Sequence, residues 1–156
     1  MQGKLLTTVA ASKKFGAIAC DRQLTYKESI KMQSSSKILE LPSPFVEKYF
    51  GAKKGFVGYA GNADIWSDVV SWIVLGAEGK VPKCKGIEFL CLTDVGLYHA
   101  TTLTNWLELT DKHWSIGSGC PYAIAAMDNG ADPLAACKAA GKRDVMTGMG
   151  YKNYTL

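Results

Sequence analysis

The chain has 156 residues, enough for one domain with a true core and too few for two. Its 47% hydrophobic and 21% charged content is that of an ordinary globular protein and excludes a disordered or fibrous chain. The net charge of +4 comes from scattered basic residues without an interleaved aromatic stripe, so no nucleic-acid surface is expected.

In chain order, residues 4–11 and 16–21 read as an antiparallel hairpin with Gly16 at the tight position. Residues 35–41 read as a further strand, broken by Pro42-Ser43-Pro44, and 42–54 as a polar, aromatic-bearing excursion. Residues 55–60 form a buried strand ending at Gly61. Asn62 caps a helix from Ala63 to about Leu75, where Gly76 stops it. Strands follow at 87–93 and 96–100, and residues 106–109 and 113–116 read as another pair around Thr110-Asp111-Lys112. Gly117-Ser118-Gly119 turns into a helix over 121–127. Asp132-Pro133 starts a second helix running to about Val145, and 151–156 is the last strand. Hairpins and helices in two groups imply two stacked antiparallel sheets with helices outside, an α+β domain.

The five cysteines show no C-x-x-C spacing. Cys20, Cys91 and Cys137 lie in apolar patterns and read as core, so neither a disulfide framework nor a metal site is indicated, and a reducing, cytoplasmic setting is expected. No secretory leader is expected. The longest apolar stretch, residues 65–75, is interrupted by Ser67, Asp68 and Ser71 and falls short of the ~20 residues of a membrane span. His99 and His113 sit in strand patterns without metal-ligand partners and read as structural.

Three charged residues fit packing badly. Asp21 directly follows the apolar run Ala17-Ile18-Ala19-Cys20, and Lys37, sixteen residues on, precedes Ile38-Leu39. If both turn inward they must pair, and a buried ammonium–carboxylate couple beside a hydroxyl, here Thr7 or Thr8, is a way to activate it. The alternative is a solvated hairpin. Asp144 falls on the inward stripe of the last helix and in its final turn, where the dipole disfavours a carboxylate by roughly 0.3–1 kcal/mol. Either it has a role there or the helix ends earlier and leaves it wet.

Six segments then occur in order over nearly the whole chain: Thr7-Thr8-Val9; Asp21 with Thr25; Ser36-Lys37-Ile38; Tyr59-Ala60-Gly61-Asn62-Ala63-Asp64; Ile116-Gly117-Ser118-Gly119-Cys120-Pro121-Tyr122-Ala123; and Arg143-Asp144-Val145-Met146-Thr147-Gly148. In these the sequence resembles proteasome β-type subunits and, in its short length, is most similar to the bacterial HslV peptidase.

The resemblance implies a four-layer αββα sandwich of the N-terminal-nucleophile hydrolase class and a threonine endopeptidase acting on polypeptides without a cofactor. By position Thr7 is the nucleophile, Lys37 lowers its hydroxyl pKa, Asp21 holds Lys37, the Gly61 N–H is the oxyanion donor, and Ser118, Asp144 and Thr147 orient the freed amine. Tyr59, with Leu24, Ser35 and Leu39, lines the substrate pocket, and its bulky ring implies a shallow site for small or medium apolar side chains. Residues 1–6 are then a propeptide removed by self-processing, and 7–156 the single domain. Thr7 lies fourteen residues before Asp21, two fewer than in the family, which a hairpin absorbs by losing one residue per arm. The resemblance also implies a homo-oligomeric ring, to which Trp66 and Trp72 offer contacts unless they are core, and an ATP-dependent unfoldase as partner. The competing expectations are a non-catalytic structural homologue and another amide hydrolase of the fold. The latter generally starts with Cys or Ser, and neither occurs before Ser12.

Overall fold

The computed structural model describes residues 7–26 and 30–156. The expected propeptide, residues 1–6, and the start of the expected first strand lie outside the described residues.

One sheet has the order β10-β1-β2-β11, built from β1 (Val9–Ser12), β2 (Ala17–Asp21), β10 (His113–Ile116) and β11 (Tyr151–Thr155), all antiparallel. The second has the order β5-β6-β7-β8-β9, from β5 (Ile38–Glu40), β6 (Gly55–Gly61), β7 (Ile87–Thr93), β8 (Leu97–Ala100) and β9 (Leu107–Leu109). Helices α1 (Ser43–Phe50) and α2 (Ala63–Val74) cover the second sheet, and α3 (Cys120–Asp128) and α4 (Pro133–Gly141) cover the first.

The period-two alternation of strand side chains explains the layering. In β1 and β2, Val9, Ala11, Ile18 and Cys20 face Phe56, Ala60, Leu90 and Leu92 of the other sheet. The intervening Ala10 and Ala19 face Ala136, Cys137 and Ala140 of α4, small residues that let helix and sheet approach closely. In β6 and β7, Val57, Tyr59, Phe89 and Cys91 turn outward to Phe45, Trp66, Val69 and Trp72. Both sheets are thus buried on both faces, which gives the expected αββα sandwich.

Several local expectations are corrected. Residues 42–54 contain a helix, α1, because Pro44 falls in the first turn, where a missing N–H costs nothing, and Gly51 closes the end at φ 63°. β9 and β10 do not pair: β9 joins β8 and β10 joins β1, so Thr110-Asp111-Lys112 crosses between sheets. α4 stops at Gly141, not near Val145. Trp66 and Trp72 are core, 9% and 8% exposed, and offer no surface for ring contacts. A hairpin not foreseen, β3 (Gln23–Tyr26) and β4 (Ile30–Gln33), forms a separate two-stranded ribbon. Among the described residues no helix is long and apolar enough to cross a membrane.

Candidate active site

β2 delivers Asp21 at its last position, and the turn before β5 delivers Lys37; both are excluded from solvent, at 0% and 1% exposure. Lys37 Nζ donates to Asp21 Oδ1 at 2.9 Å and also to the carbonyl of Gln23. Thr7, buried just ahead of β1, completes the cluster: its hydroxyl accepts from Lys37 Nζ and donates to Asp21 Oδ1. Backbone N–H groups of Thr8, Gln23 and Gly148 also donate to the Asp21 carboxylate, at 3.2, 3.3 and 3.0 Å. That many donors hold a buried carboxylate in one orientation. Burial lowers the Lys37 pKa from its ordinary value, and the charge and hydrogen bond of Asp21 oppose the shift. Burial also pushes the neighbouring Cys20 thiol up to about 11.

A second cluster adjoins the first. Asp144 lies past the end of α4, in the loop leading to β11, so the dipole penalty expected for a helical Asp144 does not arise. Thr147 Oγ1 donates to Asp144 Oδ2 at 2.7 Å, which leaves Thr8 Oγ1 to donate to Thr147 across 2.8 Å. Ser118 Oγ is 2.7 Å from Asp144 Oδ2 and 3.3 Å from the Thr7 carbonyl; its single proton goes to the carboxylate, the shorter and charge-assisted bond. Glycines around Ser118 make this approach possible. A Cβ on Gly117 would lie 2.1 Å from the Thr7 carbonyl oxygen, and one on Gly119 would lie 2.0 Å from Thr8 Oγ1.

The structure therefore brings Thr7, Asp21, Lys37, Ser118, Asp144 and Thr147 into one connected network. Gly61 lies outside it, at the end of β6, where φ is 125° and a Cβ would meet the Gly86 carbonyl oxygen at 2.2 Å. Thr8, the other candidate hydroxyl, links Thr147 to the sheet. One participant was not expected: Gln23 is 2% exposed, its side chain donating to Thr25 Oγ1 at 3.1 Å and to the Val145 carbonyl at 2.9 Å. A polar residue two positions after a buried Asp in a strand was the only sequence signal for Gln23.

Beside the network is a cavity of about 480 Å³, and Leu24, Ser35, Leu39 and Tyr59 all line it. Tyr59 N donates to the Lys37 carbonyl at 3.2 Å, which places the cavity one peptide from the ammonium-bearing residue. The Tyr59 ring does not fill the cavity. It stacks on Trp66, with centroids 4.6 Å apart and planes 16° from parallel, and is 3% exposed. His99 pairs with Glu88 and His113 with Asp128, both away from the network. All five cysteines are free thiols, and no group of three or more His, Cys, Asp or Glu among the described residues is arranged to hold a metal.

No protein-family model matches the sequence, and no curated protein matches it. Solved structures do match in fold. Eukaryotic HslV from Trypanosoma brucei superimposes with a TM-score of 0.66 at 16% identity, over 94% of this chain and 97% of that one. Thiobacillus denitrificans BPH in complex with epoxomicin gives 0.65 at 16% identity, over 96% and 97%. The Anbu complex from Pseudomonas aeruginosa, solved as a helical assembly, gives 0.68 at 14% identity, over 96% and 80%. The chain shares the fold of HslV, BPH and Anbu.

Proposed function

We propose that the protein is a threonine endopeptidase whose nucleophile is Thr7, made N-terminal by removal of residues 1–6. One observation carries the reading: the Thr7 hydroxyl is held between the Lys37 ammonium and the Asp21 carboxylate in a site closed to solvent. A structural homologue that only assembles has no use for a buried ion pair aimed at a hydroxyl, since such a pair gains little over an apolar replacement.

In this reading the Thr7 Oγ attacks the scissile carbonyl. The freed α-amine of Thr7, with a pKa near ~8, takes the hydroxyl proton, directly or through a water, and returns it to the leaving amine. Lys37 stabilises negative charge developing on Oγ, and Asp21 keeps Lys37 charged and in place. Ser118 donates to Asp144, Thr147 braces Asp144, and the Gly119 N–H holds the Thr7 carbonyl at 3.3 Å, which fixes the nucleophile's backbone. The Gly61 N–H is assigned the oxyanion, an interaction whose loss typically costs about 10²–10³-fold in rate. Water attack on the acyl-enzyme then releases the product and restores Thr7. The cavity beside Lys37 takes the substrate side chain preceding the cut. A homo-oligomeric assembly belongs to the same reading, supported by the helical assembly of the similarly folded Anbu.

The intact mass of the purified protein, compared with Thr7→Ala, tests this. Loss of the first six residues from the wild type alone, with peptide cleavage appearing in parallel, is the expected result. A full-length mass for both after assembly, with no cleavage, would sink the peptidase reading in favour of the structural one.

A further inference from the structure

Gln23 is the residue at which the two polar clusters meet. Its main chain belongs to the first: the N–H donates to Asp21 Oδ2 at 3.3 Å, and the carbonyl accepts from Lys37 Nζ. Its side chain reaches the second, with Nε2 donating at 2.9 Å to the carbonyl of Val145, the residue directly after Asp144. The same nitrogen donates to Thr25 Oγ1 at 3.1 Å. Both amide protons are therefore spent, and the side chain is closed to solvent at 2% exposure, so the amide has one orientation.

The loop it grips joins α4 to β11 and is anchored at two points. Asp144 N donates to the Ala140 carbonyl at 2.8 Å, in the turn leaving α4, and Gly148 N donates to Asp21 Oδ2 at 3.0 Å. Between these anchors the loop bonds to itself: Met146 N donates to Asp144 Oδ1 and Thr147 N to the Asp144 carbonyl, both at 3.1 Å. Such bonds shape the loop around Asp144 but leave it free to shift as a whole. Among the described residues, two hydrogen bonds tie residues 145–147 to the strand side, Thr147 to Thr8 and Val145 to Gln23, and of these only the bond from Gln23 holds the backbone. Gln33, opposite Gln23 in the ribbon, grips the same loop at the Met149 carbonyl, 2.8 Å away, but past the point that Asp21 already fixes.

Resting on the peptidase reading, we propose that Gln23 is a positioning residue, which holds Asp144 in register with the Lys37–Asp21 pair so that both act on Thr7 from fixed places. It touches neither substrate nor reacting atoms. Its backbone refers to one cluster and its amide to the other, so a single residue sets the separation between them. Leu24, Leu39 and Tyr59, which line the cavity, make no use of the amide. Loss of the amide therefore falls on the rate of the bound substrate and not on its binding. A displacement of about 1 Å in groups that orient a nucleophile can cost about 10²-fold.

Kinetics and hydrogen exchange on the full chain test this. Gln23→Met keeps the length of the side chain and removes its donors; kcat is expected to fall about 10²-fold with KM within about twofold. Gln33→Met, which loses the same kind of bond beyond the Gly148 anchor, is expected to keep kcat within about twofold, as is Gly130→Ala, strained far from the site, with melting curves recording the stability each loses. In an Asp144→Asn background the further loss from Gln23→Met should shrink to about twofold or less, because both changes act through the same loop. The exchange of the Met146, Thr147 and Gly148 amides should quicken about tenfold in Gln23→Met, as for one hydrogen bond lost. Cleavage by the wild type with kcat intact in Gln23→Met, an effect confined to KM, an equal loss in Gln33→Met or Gly130→Ala, additive losses with Asp144→Asn, or unchanged exchange would each overturn the proposal and leave the peptidase reading standing. No cleavage by the wild type would remove that reading and this role with it, and quickened exchange would then mark a structural tie alone.

Discussion

Lys37 Nζ and Asp21 Oδ1 lie 2.9 Å apart where the end of β2 meets the start of β5, so one ion pair ties the two sheets together at their buried edge. The two partners depend on each other unequally. Asp21 keeps the N–H groups of Thr8, Gln23 and Gly148 if Lys37 is removed. Lys37, without Asp21, keeps only the Gln23 carbonyl and the Thr7 hydroxyl. Asp21→Ala is therefore expected to cost about 3–5 kcal/mol of unfolding free energy, and Lys37→Met roughly half that or less. Urea unfolding of both variants checks the order; a larger loss in Lys37→Met would contradict it.

Lys37 should release its proton earlier than the other lysines, because burial lowers its pKa below the ordinary 10.5 while Asp21 only partly restores it. Between the folded value and 10.5 the unfolded chain holds a proton that the folded chain has lost, so this residue makes stability rise with pH across that window. The cost of burying the ammonium is present in full below it. Side-chain NMR titration of Lys37 reads the midpoint directly. Asp21→Asn, which removes the opposing charge, is expected to move it lower still.

Cys20 contributes with the opposite sign. Its folded thiol is held at about 11 against 9.0 for the free group, so above pH 9.0 the unfolded chain loses a proton that the folded chain keeps. Stability from this residue is complete below pH 9.0 and falls by roughly 2–3 kcal/mol by the folded value. Cys20→Ala should flatten that limb in a pH series of unfolding curves. The same burial predicts that a thiol reagent at neutral pH labels Cys84 and Cys120 in the native protein and leaves Cys20, Cys91 and Cys137 untouched.

Gly117 and Gly130 share a φ of 97°, but nothing stands within 4 Å of a Cβ at Gly130, whereas one at Gly117 would lie 2.1 Å from the Thr7 carbonyl oxygen. Gly130→Ala is expected to cost only the backbone strain, about 1–2 kcal/mol. Gly117→Ala adds a collision with the backbone of the proposed nucleophile and is expected to cost about 3–5 kcal/mol. It should also abolish whatever activity Thr7 supports. Thermal melts and a cleavage assay on the pair separate strain from displacement.

How much of this could be read beforehand depended on whether the signal was local. Asp21 and Lys37 stood out because charges abutted apolar runs, and the structure joins them. Asn62 was legible as a helix cap, and its side chain does accept from Asp64 N at 2.9 Å. The pairing of β9 with β8 was not legible, since sequence proximity favoured β10 and only sheet assembly decides the matter. α1 was obscured by its prolines, which mark a break or a first turn with equal force. The β3–β4 ribbon carries Gln23 and Thr25 inward, both buried, so its polar pattern concealed a strand that serves the site rather than the core. Asp144 meets Ser118 and Thr147 from the loop after α4, not from the inward stripe of a helix.

β11 lies against β2, pairing Tyr151 with Asp21 and Thr155 with Ala17, and the loop before it supplies Gly148 N and Thr147 to the centre. The groups that steady Asp21 thus come from opposite ends of the chain. During synthesis, residues 7–37 leave the ribosome long before residues 144–155, and a contact of that sequence separation forms slowly. A nascent chain can carry Thr7, Asp21 and Lys37 together yet lack the donors that fix their geometry. The fold thereby acts as a timer: the donors that fix the geometry of Thr7, Asp21 and Lys37 arrive only once residues 144–155 have been made.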